Sequence, residues 1–139
     1  MTSPPNPAPA GKTSLARAIA YWVTTVLVVF LLGSAGVQAV LRDPKIVKAV
    51  TELGYPVYFC VMLGVWEVLG GVALLLPATP LLKEWAYAGI FIDLIAAAVS
   101  HFEVGDPPGK IATPLVVGLI AAASWALRPQ SRRLAGRLW

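Results

Sequence analysis

Two acidic residues stand inside long apolar stretches of the sequence, where an ionisable side chain is costly. Glu67 lies in the apolar run 57–76, and Asp93 lies in the run 85–102, which ends beside His101. An acidic side chain at the centre of a bilayer costs about 2.5–3.5 kcal/mol on insertion scales, so it usually faces protein or a cavity and often serves function. Glu67, Asp93 and His101 are therefore the candidate catalytic residues.

Helical spacing places both acids among small residues. Glu67 shares a helix face with Gly64 and Gly71. Asp93 shares one with Gly89. Small residues let membrane helices approach closely, so we expect both faces to point into a bundle and to bring the acids near each other. A protonated acid beside a carboxylate suits proton chemistry; the alternative is that both acids only hold helices together through hydrogen bonds.

Further polar side chains are expected near the same predicted membrane surface as His101, where they would line an entrance to the bundle interior: Gln38, Glu103 and Asp106. A metal site needs three or four converging ligands, so one histidine with loop carboxylates does not predict one, and no cofactor is predicted. The candidate ligand-binding residues are Ser34, Gln38, Trp66 and Ser100.

The elements that must position these residues are membrane spans. The chain is 58% hydrophobic and 13% charged, with a mean hydropathy of +0.74, whereas soluble domains carry about 25% charged residues. A helical span must cross about 30 Å of hydrocarbon, and the connectors are too short for anything but antiparallel neighbours. The sequence predicts an all-α integral membrane protein, an antiparallel four-helix bundle over residues 18–128 with spans at 21–41, 57–76, 85–102 and 111–127.

The sequence also indicates the structure of the segments outside the spans. Residues 1–17 are proline-rich and are predicted to be a disordered cytoplasmic tail, and residues 129–139 a basic one. Val37-Gln38-Ala39 resembles a signal-peptide cleavage site, but the apolar run around it exceeds the usual ~7–15 residues, so we expect it to be retained as a span. Asp43-Pro44 predicts the start of a short interfacial helix that ends at Gly54; the alternative is a simple loop.

Charge indicates the orientation in the cell membrane. Seven Lys and Arg residues fall on the side that holds both termini and four on the other, which predicts cytoplasmic termini. The tryptophans Trp22, Trp85 and Trp125 lie near span ends on that same side, as in an interfacial belt. The basic residues form no single patch with aromatics, so nucleic acid is not a predicted partner. The one cysteine, Cys60, excludes an internal disulfide and a cysteine-ligated iron–sulfur cluster within this chain.

Four further features of the sequence form a recognisable combination: Gly33-Ser34-Ala35-Gly36, the stretch from Gly64 to Gly71 around Trp66-Glu67, the proline after Leu74-Leu75-Leu76, and His101 followed by Gly105-Asp106. Together they resemble the DoxX-like family of small four-helix membrane proteins, which are widespread in bacteria. The family takes its name from a membrane subunit associated with thiosulfate:quinone oxidoreduction. The resemblance therefore implies a bacterial inner-membrane component of a redox or detoxification system, and it assigns no catalytic role to Glu67 or His101.

Three functions fit the sequence. The first is an accessory subunit or a component that binds a small lipophilic, quinone-like molecule, with the bilayer around it and a redox protein or a second copy as partner. The second is a compact membrane enzyme that uses Glu67 and Asp93 as an acid/base pair for isomerisation, epoxide opening or cyclisation. Transport of protons or small solutes ranks last, because four short spans leave little room for a pathway.

Overall fold

The chain is folded as a bundle of helices. A computed structural model describes residues 14–134, and within that range the regular structure is entirely helical. Four of these helices are long and apolar enough to cross a membrane, which confirms the predicted all-α membrane bundle. Residues 1–13 and 135–139, which belong to the two predicted tails, lie outside the described residues. The elements are α1 (Leu15–Val40), α2 (Pro44–Glu52), α3 (Val57–Leu75), α4 (Pro80–Glu103) and α5 (Pro108–Leu127), followed by a 3₁₀ turn at Gln130–Arg132.

Three of the long helices begin earlier than the predicted spans. α1 begins at Leu15, after Ser14, whose hydroxyl accepts a hydrogen bond from the backbone N–H of Arg17 at 3.2 Å. α4 and α5 begin at Pro80 and Pro108, because proline fits the first turn of a helix, where its missing N–H is not needed. Hydropathy marks where a helix becomes apolar and not where it begins.

The short helix between the first two spans has the predicted limits. The Asp43 side chain accepts a hydrogen bond from the N–H of Lys45 at 2.8 Å, and Pro44 occupies the first helical position. Gly54 adopts a φ of +90° just after the helix, a conformation that glycine accepts without strain. α2 is therefore a capped helix and not a simple loop.

The four long helices form a ring in the order α1, α3, α4, α5, and each packs on its two neighbours. Because the connectors are short, neighbours run antiparallel. The contact between α3 and α4 is the loosest of the four. The buried core lies between the helices and contains Val28, Leu32, Leu74, Tyr87, Ile90, Leu94 and Ala121.

The tightest approach is between α1 and α3, at Gly36 and Gly64. A methyl group added to Gly36 would lie 2.7 Å from the carbonyl oxygen of Gly64. Gly33, three residues earlier on α1, has nothing within 4 Å of such a methyl group. The close packing of α1 on α3 therefore depends on Gly36 and not on Gly33.

Candidate functional site

A cleft of about 550 Å³ lies between α3 and α4. We call it the α3–α4 cleft. Its volume is within the range of roughly 300–1,000 Å³ that is typical of small-molecule sites. Most of its wall is apolar, and the larger apolar side chains there are Leu32, Phe59, Leu63, Trp66, Leu69, Leu82, Trp85, Ile90 and Ile92.

The cleft is open because small residues on α3 and α4 leave space between the two helices. Gly89 lines it and has nothing within 4 Å of an added methyl group, and Gly70 has only Ile90 at 4.0 Å. Gly71, one residue further along α3, instead faces α1 and would contact Val29 at 3.6 Å. The close helix contact predicted from small residues is thus confirmed for Gly71 and wrong for Gly89.

Both intramembrane acids line the α3–α4 cleft. Glu67 and Asp93 are half-buried, on opposite walls formed by α3 and α4. Within residues 14–134, no hydrogen bond joins either carboxyl group to another residue. The hydrogen-bonded arrangement that would make them only structural is therefore not formed in this range.

Glu67 owes its position to the α1–α3 crossing. A methyl group on Gly36 would lie 2.9 Å from the Cβ of Glu67, so the absence of a side chain at Gly36 allows the stem of Glu67 to pack against α1. Asp93 lies on α4, one turn after the buried core residue Ile90, and Leu94 is buried beside it. The two acids therefore stand on well-packed helices and not on loops.

The cleft opens to the side of the bundle. Trp66 is 65% exposed, Trp85 is 71% exposed and Ile92 is 70% exposed, and all three belong to its wall. Exposed apolar side chains in the spans of a membrane protein face lipid, so a molecule dissolved in the bilayer has a direct route into the cleft. None of the residues of the predicted entrance lines this cleft: Gln38, His101, Glu103 and Asp106.

His101 instead belongs to a cluster that joins α4 to α5. Its Nδ1 lies 2.7 Å from Oδ2 of Asp106, and Nζ of Lys110 donates to Oδ1 of Asp106 at 2.9 Å. The hydrogen bonds from Lys110 and His101 lower the pKa of Asp106. A carboxylate held by two partners fixes the loop between the helices, and none of the three residues lines the cleft.

Three of the candidate ligand-binding residues lie away from the cleft. Ser34 donates to the carbonyl oxygen of Leu31 at 3.1 Å, and Gln38 donates to that of Ser34 at 3.0 Å, both within α1. The Ser100 hydroxyl lies 2.9 Å from the hydroxyl of Tyr55. Of the seven candidate residues, the structure brings Glu67, Asp93 and Trp66 together and leaves Ser34, Gln38, Ser100 and His101 outside. Within residues 14–134, no group of three or more His, Cys, Asp or Glu side chains is placed to hold a metal ion.

A buried polar network at the other end of the bundle was not predicted. Lys83 is fully buried, and its ammonium group donates to the carbonyl oxygens of Ala73 and Leu74 at 3.0 and 2.6 Å, at the end of α3. Arg128 is also buried and pairs with Glu84 at 2.7 Å. Pro80 is the sequence signal that could have revealed this network. A proline suits the first turn of a helix, so it places Lys83 inside α4 instead of in a connector.

Comparison with known proteins identifies one relationship. The model of the DoxX-like family matches residues 23–124, most of the chain. The matched range contains Glu67, Asp93 and the whole wall of the α3–α4 cleft. Neither a curated protein nor a solved structure matches the chain.

Proposed function

The chain belongs to the DoxX-like family, and we propose that it is a membrane protein whose α3–α4 cleft binds a small lipophilic molecule carrying a polar head, such as a quinone. In this role it serves as the ligand-binding or accessory component of a membrane redox or detoxification system. The observation that carries the proposal is the presence of both Glu67 and Asp93 in the wall of an otherwise apolar cleft.

The composition of the cleft supports this class of ligand. A pocket that is apolar with a few convergent polar groups binds molecules by burying their apolar part and fixing the orientation of their polar part. A carboxyl group offers acceptors and, when protonated, one donor. A flat ring with oxygen substituents would place its ring against Trp66 or Trp85 and its oxygens toward Glu67 and Asp93.

Tryptophan fluorescence tests the binding directly. We expect a short-chain benzoquinone, added to the purified protein in detergent, to quench the emission of Trp66 and Trp85 in a saturable manner. The Trp66→Phe/Trp85→Phe variant should lose the saturable part, whereas Trp22→Phe, which lies outside the cleft wall, should keep it. Quenching that rises linearly with quinone in every variant would show partition into detergent and would overturn the proposal.

The role of the acids is tested in the same titration. Glu67→Leu and Asp93→Leu keep the apolar wall and remove the polar groups, so each should weaken quinone binding by roughly fivefold, the effect of one lost hydrogen bond. Glu103→Gln, an exposed acid outside the cleft, is the matched control. Equal affinities in all three variants would leave the acids without a part in binding.

A compact membrane enzyme is the second candidate, because two acids in one cleft also suit acid/base catalysis. Glu67→Gln and Asp93→Asn preserve hydrogen bonding but remove proton transfer, so an enzyme would bind its substrate in these variants and fail to convert it. We would extract the lipophile that co-purifies with the Gln and Asn variants and incubate it with the natural protein. Isomerisation or the gain of one water supports the enzyme, and unchanged lipophile supports a binding protein.

The proposed orientation places both termini in the cytoplasm. The excess of Lys and Arg on the side of the termini supports it, seven against four. A fluorescent protein fused after Trp139 should be bright, and an alkaline phosphatase fused there should be inactive, since each reporter works on one side of the membrane only. The reverse pattern would show that the C-terminus lies on the opposite side of the membrane.

Chemical cross-linking in membranes would identify the partner, which is expected to be a redox protein or a second copy of the chain.

A further inference from the structure

The end of the bundle opposite His101 concentrates positive charge in a buried place. The ammonium group of Lys83 and the guanidinium group of Arg132 both donate to one carbonyl oxygen, that of Leu74, at 2.6 and 3.5 Å. Arg128 pairs with Glu84, the residue that follows Lys83 on α4, at 2.7 Å. We call Lys83, Arg128 and Arg132 the basic cluster. It has no connection with the α3–α4 cleft, whose wall contains none of these residues.

The cluster carries more positive charge than its protein partners neutralise. Within residues 14–134, Glu84 is the one acid that pairs with it, through Arg128 at 2.7 Å. Three cations and one carboxylate leave an excess of two positive charges, on Lys83, which is 0% exposed, and on Arg132, which is half-buried. Buried charge without a counter-charge is costly, so this arrangement favours a bound anion.

Capping of helix ends explains only part of the cluster. Lys83 caps the carbonyl end of α3, and the Nε of Arg128 donates to the carbonyl oxygen of Trp125 at 3.0 Å at the end of α5. These contacts complement the negative ends of the helix dipoles. They leave Nη1 of Arg128, which is buried and has no hydrogen-bond partner within residues 14–134.

An orphaned buried guanidinium nitrogen points to a missing acceptor. We propose that the basic cluster binds a phosphate group, with Nη1 of Arg128 as its principal donor and Arg132 at its solvent side. Arginine forks match phosphate oxygens in geometry as well as in charge. Arg132 is half-buried and stacks on Trp22, with its guanidinium carbon 4.6 Å from the ring centre, so it is already held in place for such a ligand.

The phosphate has two possible sources, the headgroup of an anionic phospholipid and free phosphate in solution, and two arms of one experiment separate them. In the first, inorganic phosphate is added to the purified protein in a neutral detergent at constant ionic strength, and the midpoint of thermal unfolding is followed. In the second, the protein is placed in nanodiscs of phosphatidylcholine with or without phosphatidylglycerol, and the lipids retained after mild extraction are counted by native mass spectrometry.

Two variants report on the cluster in both arms. Arg128→Lys keeps the charge beside Glu84 but removes the orphaned Nη1, and Arg132→Gln removes a half-buried cation without opening the core. Each should weaken phosphate or phosphatidylglycerol binding by roughly tenfold, as expected when a charge-assisted hydrogen bond is lost. Lys45→Gln, an exposed cation on α2 at the other end of the bundle, should bind as the natural protein does.

The outcomes are distinct. A thermal shift with inorganic phosphate that both cluster variants lose identifies free phosphate as a ligand. Selective retention of phosphatidylglycerol that both variants lose, without a shift from inorganic phosphate, identifies a lipid headgroup. No shift and equal retention of both lipids in the natural protein would mean that water satisfies Nη1, and the proposal would be overturned.

Discussion

Gly36 of α1 and Gly64 of α3 face each other so closely that each carbonyl oxygen occupies the place of a side chain on the other. A methyl group on Gly36 would lie 2.7 Å from the oxygen of Gly64, and one on Gly64 would lie 2.6 Å from the oxygen of Gly36. Glu67, one of the two acids in the cleft wall, follows Gly64 by one turn on the same helix. The crossing therefore fixes both the bundle and the wall on which Glu67 stands.

Substitution at this crossing should separate α1 from α3. Gly36→Ala and Gly64→Ala each force backbone to move, and we expect a loss of about 1–3 kcal/mol in the free energy of unfolding, the usual effect of overpacking. Thermal unfolding in detergent, followed by circular dichroism, measures it. Gly33→Ala is the matched control in α1, because nothing lies within 4 Å of the added methyl group. If the Gly36→Ala protein were as stable as the Gly33→Ala protein, the close contact between Gly36 and Gly64 would be contradicted.

Acid should weaken the cluster that joins α4 to α5. The pKa of Asp106 lies below the usual value of about 3.9, because Lys110 and His101 hydrogen-bond to its carboxylate. The carboxylate therefore stabilises the fold at a pH above the usual value, and this stabilisation is lost as the pH falls through the lowered pKa. Compared with the natural protein, Asp106→Asn should be less stable at neutral pH, and the difference should shrink below about pH 4.

Thermal unfolding at a series of pH values measures this difference. The matched control is Glu103→Gln, three residues before Asp106 and exposed. It should follow the natural protein over the whole pH range. A constant difference between Asp106→Asn and the natural protein, independent of pH, would mean that Asp106 acts without its charge.

Lys83 should be needed for folding although it lies in no predicted site. Lys83→Met fills a similar volume but leaves the carbonyl oxygens of Ala73 and Leu74 without their donor. We expect a loss of about 1–3 kcal/mol in the free energy of unfolding, the usual cost of unsatisfied buried polar groups. Lys45→Met, at an exposed position, is the control in the same unfolding measurement. Equal stability of the two variants would show that water replaces the ammonium group.

The fold was predictable from the sequence because the physics of a span is local. A continuous apolar run identifies a membrane helix by itself, and capping residues such as Asp43 identify a short one. The choice of Glu67 as a candidate residue rests on the same reasoning, since an acid inside such a run is costly wherever its neighbours lie. These conclusions needed no knowledge of which helices are adjacent.

The cleft and the basic cluster were not predictable, because both depend on which faces meet. Gly71 packs against α1, whereas Gly70 and Gly89 leave space between α3 and α4, and helical spacing alone does not separate these two outcomes. Lys83 and Arg132 are far apart in sequence and meet at the carbonyl oxygen of Leu74 only because α4 begins, and α5 ends, on the same side of the bundle. The pairing of His101 with Asp106 was not predictable either, because it depends on the geometry of the loop between α4 and α5.

Filling the cleft should abolish ligand binding without unfolding the protein. Gly89 lines the α3–α4 cleft and has open space around it, so the side chain of Gly89→Leu would occupy volume that a ligand needs. We expect saturable quenching by the benzoquinone to disappear, while the midpoint of thermal unfolding stays the same or rises, because an open apolar space is filled.

The neighbouring residue provides the control for this substitution. Ala88 is exposed on α4 and is not part of the cleft wall, so Ala88→Leu adds a larger side chain to the same helix but outside the site. It should bind the benzoquinone with unchanged affinity. If Gly89→Leu also binds with unchanged affinity and remains folded, the quinone occupies some other place. Loss of binding in Gly89→Leu alone would place the ligand between α3 and α4, beside Glu67 and Asp93.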